Sequence, residues 1–174
     1  MMMKMLDQGG IPALTDQVRT ADEDNPKGYY EFEPVKKTKE DASWVPGAVG
    51  KVVKMVHLLL LDLPLDQQYR VVFMRRHLDE VVQSQNIMLE RKGDDQGALP
   101  AERLKQIYLS QIKKVEEYLA QHAENFKLLE VDYNQVLNDP RSAVEQVSRF
   151  LDGLEPEPML ATIDPKLYRN RATS

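Results

Sequence analysis

The stretch Tyr69–Leu89, which reads YRVVFMRRHLDEVVQSQNIML, constrains the fold more than any other part of this sequence. Val71, Val72, Phe73 and Met74 form an unbroken apolar run, the pattern of a strand covered on both faces within a parallel sheet. Leu78, Val81, Val82, Met88 and Leu89 then recur at helical spacing, so the strand runs into a helix that packs one side against the sheet. Arg75 and Arg76 stand between the two. At the carboxyl edge of a sheet, beside a helix amino terminus, backbone N–H groups and the helix dipole favour a negative ligand. Two guanidinium groups at that place point to phosphate or sulfate.

Other segments repeat the alternation. Met1–Leu6 reads as a helix stopped by Gly9-Gly10, with nothing ahead of it to anchor it. Thr15–Tyr30, rich in acidic residues and carrying Asn25-Pro26 and Gly28, reads as a long surface loop, and Glu33-Pro34 opens a short polar helix. Lys51–Val56 reads as a second buried strand and the residues through Leu61 as a short helix that ends before Pro64. Leu104, Ile107, Tyr108, Ile112, Val115, Tyr118 and Leu119 stripe a long helix from Pro100, with both tyrosines assigned to its core face. Phe126–Val131 is a third strand, followed by a helix from near Pro140 to Gly153. Strands alternating with helices predict an α/β fold with a parallel sheet, and 174 residues suit a single domain over 1–174.

Charge and composition narrow the partners. A net charge of −5 argues against nucleic acid or an anionic membrane as a partner and leaves room only for a focused basic pocket. Without cysteine there is no disulfide, thiolate nucleophile or cysteine zinc site, a pattern suited to a cytoplasmic protein. His57, His77 and His122 match no metal-ligand spacing, so no metal is expected. The apolar run around Val56–Leu65 is broken by His57, Asp62 and Pro64 and is too short to span a bilayer.

Four blocks of the chain resemble the P-loop sulfotransferase family. Arg76 and, eight residues on, Ser84 are similar to its 3′-phosphate-binding motif; Leu78 stands where that motif often has proline. Glu130–Pro140 with Arg149-Phe150-Leu151 looks like its strand-turn-helix, Asn25–Glu31 like an acceptor-pocket loop, and Asp164–Arg171 like a closing segment of one bacterial subgroup. The resemblance implies a P-loop NTPase-like sheet flanked by helices, with sulfonate passing from 3′-phosphoadenosine 5′-phosphosulfate to a hydroxyl or amine of a small-molecule or carbohydrate acceptor. It also implies an N-terminally incomplete domain, because the family's first strand and 5′-phosphosulfate loop come immediately before residues like Met1–Leu6. Such a domain would expose a sheet edge and helix faces through which a homodimer could form.

Carried onto this sequence, the family pattern selects Arg76 and Ser84 for the 3′-phosphate, with Arg75 a secondary candidate more suited to a salt bridge. Tyr133 would lie near the adenine, and Arg169 and Arg171 would close over the phosphates. His57 stands roughly where relatives place a base, and an imidazole titrating near neutrality suits that work. Glu31 or Glu33 is the carboxylate alternative, and Arg19 and Lys27 are candidate acceptor contacts. Two other functions remain open: a non-enzymatic nucleotide- or partner-binding remnant of the fold, and a P-loop small-molecule kinase, for which no Walker lysine can be located.

Overall fold

The computed structural model of the chain describes residues 1–16, 30–92 (side chains to 87) and 99–163. Two seven-residue strands, β1 (Tyr69–Arg75) and β2 (Phe126–Asp132), pair in parallel from Tyr69↔Phe126 to Arg75↔Asp132. Among the described residues six α-helices accompany them: α1 (Met2–Gln8), α2 (Leu78–Lys92), α3 (Ala101–Gln121), α4 (Tyr133–Asn138), α5 (Pro140–Leu151) and α6 (Pro156–Ala161). Three 3-10 turns cover Glu33–Lys37, Val45–Ala48 and His57–Asp62.

The alternation of side chains along a strand divides the core in two. Val72, Met74, Leu129 and Val131 face Met2, Met5 and Leu6 of α1, Ala143, Val144 and Val147 of α5, and Met159 of α6. Tyr69, Val71, Phe73 and Phe126 face Val115 and Leu119 of α3 together with Leu60 and Leu63. The continuous apolar run of β1 therefore reflects burial on both sides, as in parallel sheets covered by helices. On the α3 face, the Tyr69 and Phe126 rings stack with centroids 4.9 Å apart.

Short polar contacts set the turns that carry the chain to the site. The Asp132 side chain accepts from Gln135 N at 2.8 Å and caps α4; Asp139 does the same for α5 through Ser142 N at 3.2 Å. Behind α1 the chain turns at Gly10, whose φ of +111° a side chain would strain. Leu63 is extended ahead of Pro64, which ends the preceding 3-10 turn as the sequence predicts.

The expected strand over Lys51–Val56 does not form. Only an isolated parallel bridge, Ala13↔Val52, is present, with Leu14 N donating to Val52 O at 2.9 Å and Val52 N donating to Pro12 O at 3.0 Å. A strand needs a partner along its length, and among the described residues this segment has one only at Val52. Helix α6 was not foreseen: at six residues it is too short for a periodic stripe, although Pro156 at its start and Glu157 in its first turn suit a helix amino terminus.

Tyr69 ties the start of β1 to the loop before it, its hydroxyl donating to Pro64 O at 2.8 Å. Burial, reinforced by the nearby Asp66 charge, pushes its pKa from the ordinary value near 10 up to about 12. A phenol favoured in its neutral form contributes stability below pH 10 and loses it as pH rises from 10 through 12. Thermal unfolding across that window is expected to show a falling midpoint, with a shallower fall in Tyr69→Phe; equal slopes would contradict this.

Candidate functional site

The two arginines part company at the end of β1, where Arg75 is the last strand residue and Arg76 the first beyond it. Arg75 turns to the α3 face. Its guanidinium pairs with Glu116 of α3 and Glu130 of β2 and lies 4.7 Å from the Phe73 ring centroid. Held by two carboxylates, it is committed to joining β1, β2 and α3.

Arg76 turns the other way, at the entry to α2. Its Nε donates to Glu80 Oε2 at 2.9 Å, and its guanidinium lies 5.1 Å from the Tyr133 ring centroid at the start of α4. Glu80 is 1% exposed and the Arg76 side chain 26%, so the cation is held by a buried carboxylate while remaining within reach of solvent. A bond through Nε orients the planar fork, and an aromatic face beneath it adds a cation–π contact. The ends of β1 and β2 thus bring Arg76 and Tyr133 together, which the sequence implied only through resemblance. Ser84 lies on α2, half-buried, about 9 Å further along the axis than Leu78.

Arg75 and Arg76 also line a cleft of about 690 Å³ running along β1, together with His57, Tyr108, Met55 and Ile112. His57 opens the 3-10 turn after the Val52 bridge, and its Nε2 lies 3.1 Å from Gln111 Oε1. With that oxygen accepting, Nε2 carries the proton and Nδ1 holds the lone pair. The Tyr108 ring centroid is 6.4 Å from that of His57, and the Tyr108 hydroxyl donates to Gln85 Oε1 of α2. Tyr108 and Gln111 are site residues that sequence reasoning gave to the core or passed over. Their signal was weak: a hydroxyl and an amide, three residues apart, on an amphipathic helix that carries many other polar side chains.

Glu31 stands outside this cleft lining and pairs with Lys54 Nζ at 3.6 Å; Glu33 pairs with Lys36 one turn on. Arg169, Arg171, Arg19, Lys27 and the Asn25–Tyr29 part of the proposed acceptor loop lie outside the described residues. Among the described residues there is no cluster of three His, Cys, Asp or Glu placed to hold a metal ion, and no helix long and apolar enough to cross a membrane. Searches of known protein-family models, curated proteins and solved structures found no match.

Proposed function

We propose that the chain is a sulfotransferase-type domain in which Arg76 grips the 3′-phosphate of 3′-phosphoadenosine 5′-phosphosulfate and Tyr133 borders the adenine. One observation carries this reading: a guanidinium, oriented by the buried Glu80 and set on an aromatic ring, stands where a parallel strand gives way to a helix. Charge, planarity and position together suit a phosphate at the carboxyl edge of the sheet. Ser84 would add a neutral hydroxyl donor for a phosphate reaching along α2.

Transfer itself follows from in-line geometry. The acceptor's oxygen or nitrogen bonds to sulfur as the bond from sulfur to the 5′-phosphate oxygen breaks, and adenosine 3′,5′-bisphosphate leaves with the electron pair. The acceptor's proton goes to a base. His57 Nδ1, in the cleft that both arginines line, suits that role better than Glu31, which is paired with Lys54 outside it. The cleft would then admit the acceptor, and the protein's work is mainly positioning and charge stabilisation.

Donor class can be tested by thermal unfolding. At a hundredfold excess over Kd, a ligand binding only the native state adds about 2.7 kcal/mol, or roughly 5–10 °C for a domain of this size. Adenosine 3′,5′-bisphosphate is expected to raise the midpoint in this way and ATP to raise it less; a larger rise with ATP would favour a kinase. A second reading, a partner-binding domain without catalysis, draws on the open side of β1.

A further inference from the structure

We infer that the cleft beside β1 is a strand-acceptor site, which takes an extended, uncharged apolar peptide segment running parallel to β1. The inference does not depend on the nucleotide reading, and a segment seated here would exclude from the same cleft the acceptor that His57 would serve. Its first support is the lining itself, which includes every residue from Val71 to Arg76 in succession. Successive residues point to opposite faces of a strand, so a groove touching all of them runs along the strand's edge and not over one face.

Hydrogen bonding identifies what that edge lacks. Tyr69 N donates to Asn125 O at 2.7 Å, which directs the backbone groups of the odd-numbered residues of β1 toward β2. The N–H and C=O groups of Arg70, Val72 and Met74 point the other way, and among the described residues none of them has a backbone partner. A second segment repeats the pattern. Val52 gives both its backbone groups to the Ala13 side, so those of the half-buried Val53 turn away from it, also without a described backbone partner, and Met55 lines the cleft. Val52 and Met55 pack into the same two cores as β1, Val52 with Val72 and Met74, Met55 with Val71 and Phe73. The unpaired edge of β1, a core against either face of the strand and the apolar side chains along the groove together describe a place for one more strand.

The chemistry of the occupant follows from the same walls. Its two faces would meet Val72 and Met74 with the α1 core on one side, and Val71, Phe73 and Ile112 on the other. Side chains that meet these residues must therefore be apolar, and a polar group fits only where His57, Tyr108, Lys113 and Glu116 join Arg75 and Arg76 in the lining. A small apolar molecule would leave the Val72 and Met74 backbone groups unpaired. A second copy of this chain offers β1 with Arg70 and Arg75, or β2 with Lys127 and Glu130, each carrying charge into the apolar walls. Parallel pairing is the arrangement of both described pairings and of sheets buried on both faces.

Amide hydrogen exchange on the full chain tests the inference. The probe is a capped peptide in which a Lys-Lys-Ser-Gly lead precedes seven alternating valines and isoleucines, so that its cations stay clear of Arg75 and Arg76; the control carries proline at every second strand position and so lacks those donors. Saturable one-to-one binding that slows exchange at Val72 and Met74 at least tenfold, with no effect from the control, is expected. Unchanged exchange at these amides, or equal protection by both peptides, would overturn the inference. So would a stable dimer in which the same amides are already protected and remain so when the peptide is added.

Discussion

Replacing Arg76 with alanine is expected to weaken binding of adenosine 3′,5′-bisphosphate about 30- to 150-fold. The figure follows from a charge-assisted hydrogen bond to phosphate, worth about 2–3 kcal/mol when one partner is deleted. Arg76 also pairs with Glu80, which is 1% exposed, so the single variant removes a neighbour from a buried carboxylate, a change that costs about 3–5 kcal/mol where it leaves a charge uncompensated. The double variant Arg76→Ala/Glu80→Gln separates the two effects: stability should partly recover and nucleotide affinity should not. Arg75→Ala is the matched control. Its guanidinium is occupied by Glu116 and Glu130, and its loss should change affinity less than about threefold while disturbing contacts among β1, β2 and α3. Equal effects of the two alanine variants in a binding titration would show that the site is misassigned.

Met5→Ala is expected to cost about 2–5 kcal/mol, the range for emptying a large side chain from a packed core. Met5 is fully buried where α1 meets α5, α6 and the Val72–Met74 face of the sheet. A helix of seven residues does not persist in water on its own, so α1 is held by Met2, Met5 and Leu6. The approach is close on the other side too: a Cβ added at Gly9 would lie 2.7 Å from Met159 Cγ of α6, and Gly9 O accepts from Glu155 N at 2.9 Å. Urea unfolding should show the midpoint falling with little change in slope. A loss under about 1 kcal/mol would mean that α1 contributes little to the core.

Much of this architecture is legible in the sequence because it depends on local periodicity. The apolar runs of β1 and β2 and the stripes of α3 and α5 each bury a face that the residue order already declares, and the two strands pair in parallel as their helical connection requires. Lys51–Val56 does not become a strand because apolar residues say nothing of whether a pairing neighbour is at hand; this segment has Ala13 at a single position, and Val56 is 61% exposed. The site was harder still. Arg75 meets Glu116 and Glu130, 41 and 55 residues away, and His57 meets Gln111, 54 residues away. Contacts of that separation leave no local pattern, and two adjacent arginines look equivalent until the strand ends between them.

The role of Arg76 is tested most directly by calorimetric titration of the native chain and of Arg76→Ala/Glu80→Gln with two ligands, adenosine 3′,5′-bisphosphate and adenosine 5′-monophosphate. The native chain should bind the bisphosphate more tightly by roughly 30-fold or more, the contribution of one well-held phosphate at about 2 kcal/mol or above, and the double variant should lose that preference. Equal affinity of the native chain for both ligands, or a preference that survives the double variant, would contradict a 3′-phosphate site at Arg76.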